Sequence, residues 1–288
     1  MIDIVEALRQ LAENGSKSDQ RLAQVVLADM GFASRASIME LAQQAEVSEP
    51  TVTRFCRTLR CDGIRDFKFH LAQALAIGGA YLAGGANNDD ERPTLDLICD
   101  GALGAIERIR SGIDRKQFEL AARRLSKATS VLTYGSGGSS SIAALETQHR
   151  LFRLGLPVTA YTDGELQCMT ASVATKQTVI IAFSISGHAH AVLEAVEIGK
   201  SYGAFTIVLT APGSALAALG DIAITFKIPE DGNLFKPSSS RYALLTLVDF
   251  LAAETARVMG PPVLEGLRRI KQSLNTFKIN DPSLPIGD

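Results

Sequence analysis

Apolar positions in the first 76 residues recur at helical spacing. Ile4, Leu8 and Leu11 fall on one face of a first helix, and Leu22, Val25, Val26 and Met30 repeat the pattern in a second, which runs to about residue 31. Asn14-Gly15-Ser16 separates the two, with Ser18 the expected cap of the second. Ser37 followed by Glu40 has capping-box spacing and predicts a short helix over 37–45. After the connector Glu46-Val47, Ser48 is placed to cap another helix over 49–60. Pro50 is tolerated there because first-turn N–H groups have no partner within the helix. Val52, Phe55, Cys56 and Leu59 form an apolar stripe at i, i+3, i+4 and i+7, and Thr51, Thr53, Arg54 and Arg57 lie away from it. Cys61-Asp62-Gly63 ends this helix, and Phe67, Leu71 and Leu75 carry a further one to about residue 76.

The pattern then changes. Residues 78–93 contain Gly78-Gly79, Gly84-Gly85, Asn87-Asn88-Asp89-Asp90 and Pro93, the composition of a linker. Residues 94–127 predict two helices. Beyond them strands and helices alternate, with strands expected at 130–134, 157–162, 178–184, 205–210 and 222–228. Helices are expected at 139–154, 164–175, 189–202, 214–219 and 239–259. The runs 179–183 and 205–209 are apolar without alternation, the mark of strands buried on both faces of a parallel sheet. The expected fold class is α/β: an all-α domain over 1–77, a linker over 78–93, and a three-layer αβα domain with a parallel sheet over 94–288.

Bulk properties narrow the reading. A chain of 288 residues with 46% apolar content has room for two domains and a substantial core. Net charge is −2, so any nucleic-acid surface is local; Arg54 to Lys68 holds five basic residues against Asp62 and Asp66. Cys56, Cys61, Cys99 and Cys168 form no CxxC pair, which fits a reduced cytoplasmic chain and predicts no metal site. The start lacks the basic-then-apolar layout of a signal peptide, and no apolar run reaches the ~18 residues of a membrane helix.

Two stretches carry candidate chemistry in the second domain. Gly135-Ser136-Gly137-Gly138-Ser139-Ser140-Ser141 lies between a predicted strand and a helix. Glycines let the backbone approach a ligand, the helix start offers unpaired N–H groups, and the serines add donors, which together suit a phosphate. Ser184-Ile185-Ser186-Gly187 follows a second strand of the same sheet, and ligands of such sheets bind beyond the carboxyl ends of strands. Either turn alone could be a helix cap; two facing one crevice point to binding. No side chain in either turn is a strong base or a metal ligand, so the expectation is a grip, with no catalytic residue and no cofactor. His188 and His190 read as solvated loop histidines. In the first domain, a short helix, tight turn and second helix follow the helix-turn-helix plan, with Arg54 and Arg57 suited to guanine edges or phosphates and Ser48, Thr51 and Thr53 to phosphates or base edges.

The front half, through Val47-Ser48-Glu49-Pro50-Thr51-Val52-Thr53-Arg54-Phe55-Cys56-Arg57, resembles the helix-turn-helix of RpiR-type bacterial regulators. The back half, through Gly135–Ser139 and Ser184–Gly187, resembles a sugar isomerase (SIS) domain. Gln148–Arg153 and Ile228–Asp231 resemble the branch of the family that represses glucose-catabolism operons. The resemblance implies that Arg54 and Arg57 contact double-stranded operator DNA. It also implies that Ser139 and Ser184 hold a sugar phosphate, 2-keto-3-deoxy-6-phosphogluconate in that branch, with Ser186 and Gly187 beside them and Ser240 closing the site. Gly135, Gly137 and Ser140 complete the expected effector set. A homodimer or higher homo-oligomer is expected, because helix-turn-helix pairs bind palindromic half-sites. Ala189 departs from the Thr that SIS enzymes often carry there. Two other readings compete. A sugar-phosphate isomerase needs a general base, and Glu146, His149, Asp163 and Glu165 are the available groups, none within a Ser/Gly turn. A dinucleotide fingerprint starting at Gly135-Ser136-Gly137 lacks its third glycine, since Ser140 stands there.

Overall fold

The computed structural model describes residues 3–82, 93–229 and 238–275. They divide into two compact units, residues up to 82 in one and from 93 onward in the other.

The front unit is all-helical: α1 (Ile4–Asn14), α2 (Lys17–Ala28), α3 (Met30–Arg35), α4 (Ile38–Gln44), α5 (Glu49–Thr58) and α6 (Ile64–Leu82). Its apolar stripes converge on one core, where Leu8, Leu22, Leu41, Val52, Phe55 and Leu71 are almost wholly buried. Phe55 and Phe67 meet edge to face, ring centroids 6.1 Å apart, so α5 is fixed on α6 by about 1.5–3 kcal/mol per buried ring. Ser16, not Ser18, caps α2: its hydroxyl accepts from Asp19 N–H at 3.3 Å, three residues on, which is the reach a cap needs. Asp29 then breaks the expected long helix and caps α3. The capping box at Ser37 and Glu40 is present, and the Ser37 N–H bond lowers the Glu40 carboxyl from its usual value.

Helices α4 and α5 both end in a Schellman turn without glycine. Val47 N–H reaches the Ala42 carbonyl at 2.9 Å with Glu46 at φ 51°, and Cys61 N–H reaches the Cys56 carbonyl at 2.9 Å with Arg60 at φ 60°. Left-handed backbone costs a non-glycine residue about 1–2 kcal/mol. Glu46 lies 84% exposed at 3.9 Å from Arg21, a contact of little weight. Glu46→Gly is therefore expected to stabilise the unit by about 0.5–1 kcal/mol after the entropy cost of glycine, read as a raised denaturant midpoint. The expected linker begins as helix: α6 continues unbroken through Gly78-Gly79 to Leu82, because its backbone hydrogen-bond ladder absorbs two glycines at about 1 kcal/mol each. The rest of that linker, up to residue 92, lies outside the described residues.

The back unit runs α7 (Thr94–Gly112), α8 (Arg115–Leu125), β1 (Ser130–Gly135), α9 (Gly138–Leu151, then a 3-10 turn to Leu154), β2 (Val158–Tyr161), α10 (Gly164–Ala171), β3 (Thr178–Ser184), α11 (His190–Ser201), β4 (Phe205–Thr210), α12 (Ala215–Leu219), β5 (Ile222–Thr225), α13 (Ser240–Met259) and α14 (Pro262–Asn275). The five strands are parallel in the order β2-β1-β3-β4-β5. Every residue of β3 is buried. Val179, Ile181 and Phe183 enter the core under α7, α8, α9 and α13, while Ile180 and Ala182 enter the core under α10, α11 and α12. That two-sided burial is why the strand is apolar without alternation. The last strand stops at Thr225 rather than 228, shortly before Pro229, which has no N–H for a ladder. Helix α10 stops at Ala171 rather than 175.

Candidate functional site

In the front unit, α5 buries Val52, Phe55, Cys56 and Leu59 and turns Arg54 and Arg57 outward, both exposed. Burial pushes the Cys56 thiol up to about 12, so it packs as a neutral group. Among the described residues neither Arg54 nor Arg57 has an ion-pair partner. Ser48 stands at the cap position but makes no capping bond. Its hydroxyl pairs with that of Thr51 at 2.9 Å, and Thr53 donates to the Glu49 carbonyl at 3.3 Å. The first turn of α5 therefore presents hydroxyls, since Pro50 has no N–H and that of Thr51 bonds the Ser48 carbonyl at 2.9 Å, and the next turn presents two guanidinium forks.

In the back unit, the chain leaves β1 toward β2 at one edge and leaves β3 toward β4 in the other direction. The boundary between β1 and β3 is thus a topological switch point, the place beyond the strand ends where sheets of this kind hold their ligands. Gly135 is level with Phe183, and Ser184 with Thr210, so both Ser/Gly turns rise at adjacent strand ends. A Cβ on Gly135 would collide with the Ser140 carbonyl, so glycine lets α9 start directly against β1. Gly137 takes φ 77° as the cap of α9 and supplies no side-chain capping bond, which leaves the first N–H groups of that helix for another acceptor. Ser139 is half-buried, Ser140 is buried, and Ser141 donates to the Gly135 carbonyl at 3.3 Å.

At the end of β3, the buried Ser184 hydroxyl accepts from Gly187 N–H at 3.0 Å, which pins its oxygen and leaves its proton to donate. The exposed Ser186 hydroxyl accepts from His188 N–H at 3.3 Å. Gly187 holds φ 73° with Thr210 and Ser214, themselves 3.2 Å apart, packed where its Cβ would be. Ser240 is buried as the first residue of α13, with its N–H on the Ser238 hydroxyl at 3.2 Å. His188 and His190 are exposed, and His190 lies 3.7 Å from Glu194. No cluster of three metal-ligating side chains occurs among the described residues.

Three residues around the turns escaped the sequence reading. Thr210 and Ser214 had a signal, a strand end followed by Pro-Gly-Ser. Gln167 had none: it sits in mid-helix, yet its amide reaches the Gly135 carbonyl at 3.2 Å, the Ser136 hydroxyl at 3.3 Å and the Tyr161 carbonyl at 2.8 Å.

Comparison with known proteins places both halves. Residues 2–78 match the helix-turn-helix domain of the rpiR family, and residues 124–254 match the SIS domain. The HTH-type transcriptional regulator HexR of Escherichia coli (strain K12) is 32% identical over 288 residues, covering 100% of this chain and 99% of that protein. HexR of Pseudomonas aeruginosa is 33% identical over 95% of this chain and 96% of that protein. The structure of Vibrio vulnificus NanR complexed with ManNAc-6P matches with a TM-score of 0.61 at 24% identity, over 96% of this chain and 100% of that one, and shows the shared fold. No helix among the described residues is long and apolar enough to cross a membrane. By its full-length identity to HexR, the chain belongs to the RpiR family of helix-turn-helix transcriptional regulators that carry a SIS domain.

Proposed function

We propose that this regulator is a repressor of glucose-catabolism genes that leaves its operator when a phosphorylated sugar acid, 2-keto-3-deoxy-6-phosphogluconate, fills the crevice between β1 and β3. The observation that carries the reading is the pair of hydroxyl-bearing turns at adjacent strand ends, with the N-terminus of α9 open and the Ser184 proton free. These groups suit a phosphate dianion: neutral donors and a helix dipole, with no acid in either turn. HexR relatives at 32% and 33% identity cover 100% and 95% of the chain, and it is the resemblance to that branch that names this effector. Catalysis is not part of the proposal. Asp163 caps α10 through Leu166 N–H at 3.0 Å, and Glu146 is tied to Arg150 at 2.6 Å, so neither is poised as a general base.

Two copies acting in the cytoplasm would set two α5 helices on half-sites ~34 Å apart. The effector shifts DNA binding only if it prefers the arrangement that does not fit the operator. Arg54→Ala is expected to weaken operator binding by about 1–3 kcal/mol, or roughly 5- to 150-fold, and to relax preference at the base it reads. An unchanged operator affinity in a gel shift removes Arg54 from the reading surface. The test of the whole proposal is an operator gel shift titrated with 2-keto-3-deoxy-6-phosphogluconate, glucosamine 6-phosphate and N-acetylmuramic acid 6-phosphate in parallel. Release by the first alone is the expected result. Release by another, or by none, discards the assigned effector.

A further inference from the structure

Gln167 violates the pattern of a residue kept for stability. It is 0% exposed, and its Oε1 is buried with no hydrogen-bond partner. Buried polar atoms are almost always paired, and an apolar side chain of the same length would fill the space without an orphaned oxygen. The Nε2 end, by contrast, is oversubscribed: its two hydrogens face the Gly135 carbonyl, the Ser136 hydroxyl and the Tyr161 carbonyl. Two of those three acceptors are carbonyls that only a donor can face, so the amide orientation is fixed. The side chain is thus present for its N–H groups, and the orphaned oxygen is what that choice costs. Local rules broken in this way gather at functional sites.

Two of the three acceptors are the first residues of the glycine-serine turn, and the third ends the neighbouring strand β2. Gln167 therefore ties the base of that turn to the sheet. Gly135 is also the residue against which Ser140 is packed and to which Ser141 donates, so its carbonyl is the point from which the start of α9 is aimed. The Ser136 oxygen is pinned by an N–H just as the Ser184 oxygen is pinned by Gly187. We propose that Gln167 is a positioning residue of the effector site, setting the turn Gly135–Gly138 so that the free N–H groups of α9 and the Ser139 hydroxyl meet the effector's phosphate. The proposal rests on the crevice being the effector site.

The test is Gln167→Met, which keeps length and volume, removes the N–H groups and removes the orphaned oxygen. Affinities for 2-keto-3-deoxy-6-phosphogluconate and for inorganic phosphate are measured by titration calorimetry on the full chain, with the melting temperature alongside. Both ligands are expected to bind about tenfold more weakly, by the same factor, with a modest fall in melting temperature, because the Tyr161 carbonyl loses this donor while the Gly135 carbonyl keeps that of Ser141. Gln167→Leu, which also offers no donor and buries no charge, is expected to show the same joint loss, and it carries the test should the methionine variant not fold. Losses that differ between the two ligands in both variants, titrated well below their melting temperatures, reduce Gln167 to a structural residue and overturn the proposal. So does wild-type affinity in the variants, provided Ser184→Ala has lost it. If Ser184→Ala also binds like the wild type, the crevice itself is the wrong site.

Discussion

Gly187→Ala is expected to abolish effector response and to destabilise the back unit by about 2–5 kcal/mol. Two costs add. The residue sits at φ 73°, where a Cβ costs about 1–2 kcal/mol. The added carbon would also fall onto Ser214 and within 2.7 Å of the Thr210 hydroxyl, and overpacking of a filled interior costs typically ~1–3 kcal/mol. Thr210 is wholly buried and ends β4, so it has little room to yield. Ser214 caps α12, whose Leu216 N–H in turn bonds the Gly187 carbonyl at 3.2 Å. The strain is therefore passed to the turn after β3, displacing the Gly187 N–H that pins Ser184. A thermal melt gives the stability change, and calorimetry with 2-keto-3-deoxy-6-phosphogluconate gives the loss of binding. A variant that melts and binds as the wild type does would mean that the turn is slack, and a slack turn could not hold a phosphate by fixed donors. The front unit has its own core, and operator binding by Gly187→Ala at low temperature is expected to survive without release by effector.

What could be read from the sequence was whatever periodicity and glycine chemistry report directly. The apolar runs at 179–183 and 205–209 gave a parallel sheet because a strand buried on both faces has no polar phase to alternate with. The capping box at Ser37 and the stripe from Val52 to Leu59 gave α4 and α5 because both depend on spacings of three and four residues. Strand order was not readable: that β1 and β3 are neighbours follows from how connections pack across the sheet, and no local pattern encodes it. The left-handed residues were hidden for the opposite reason. Glu46 and Arg60 stand where glycine usually signals a Schellman turn. Gly78-Gly79, read as a break, lies inside a helix. Gln167 was invisible because its role depends on two strands that lie 6 and 32 residues away. Of the residues proposed for the effector, Gly135, Gly137, Ser139, Ser140, Ser184, Ser186 and Gly187 fall on the two turns that the topology brings together, and Ser240 stands on the helix that packs against α9.

Ser184→Ala separates ligand binding from folding more cleanly than the glycine change. The Ser184 hydroxyl takes one bond from Gly187 N–H, but that N–H also reaches the Ser184 carbonyl at 3.1 Å. Removing the hydroxyl therefore leaves no buried donor unpaired, and the stability cost is expected to stay near the ~1 kcal/mol of a single net hydrogen bond. In the proposed complex its proton donates to a phosphate oxygen, a charge-assisted bond worth about 1.5–3 kcal/mol, so effector affinity is expected to drop roughly 10- to 150-fold. Half-release of operator DNA then needs effector at a concentration raised by the same factor, because the ligand shifts the equilibrium only through its difference in affinity for the two states. Operator affinity without effector is expected to match the wild type. A gel shift run with and without 2-keto-3-deoxy-6-phosphogluconate reads both quantities on one sample. Loss of operator binding in the absence of effector would show that the turn after β3 supports the DNA-bound state itself, and the assignment of Ser184 to the ligand would fall.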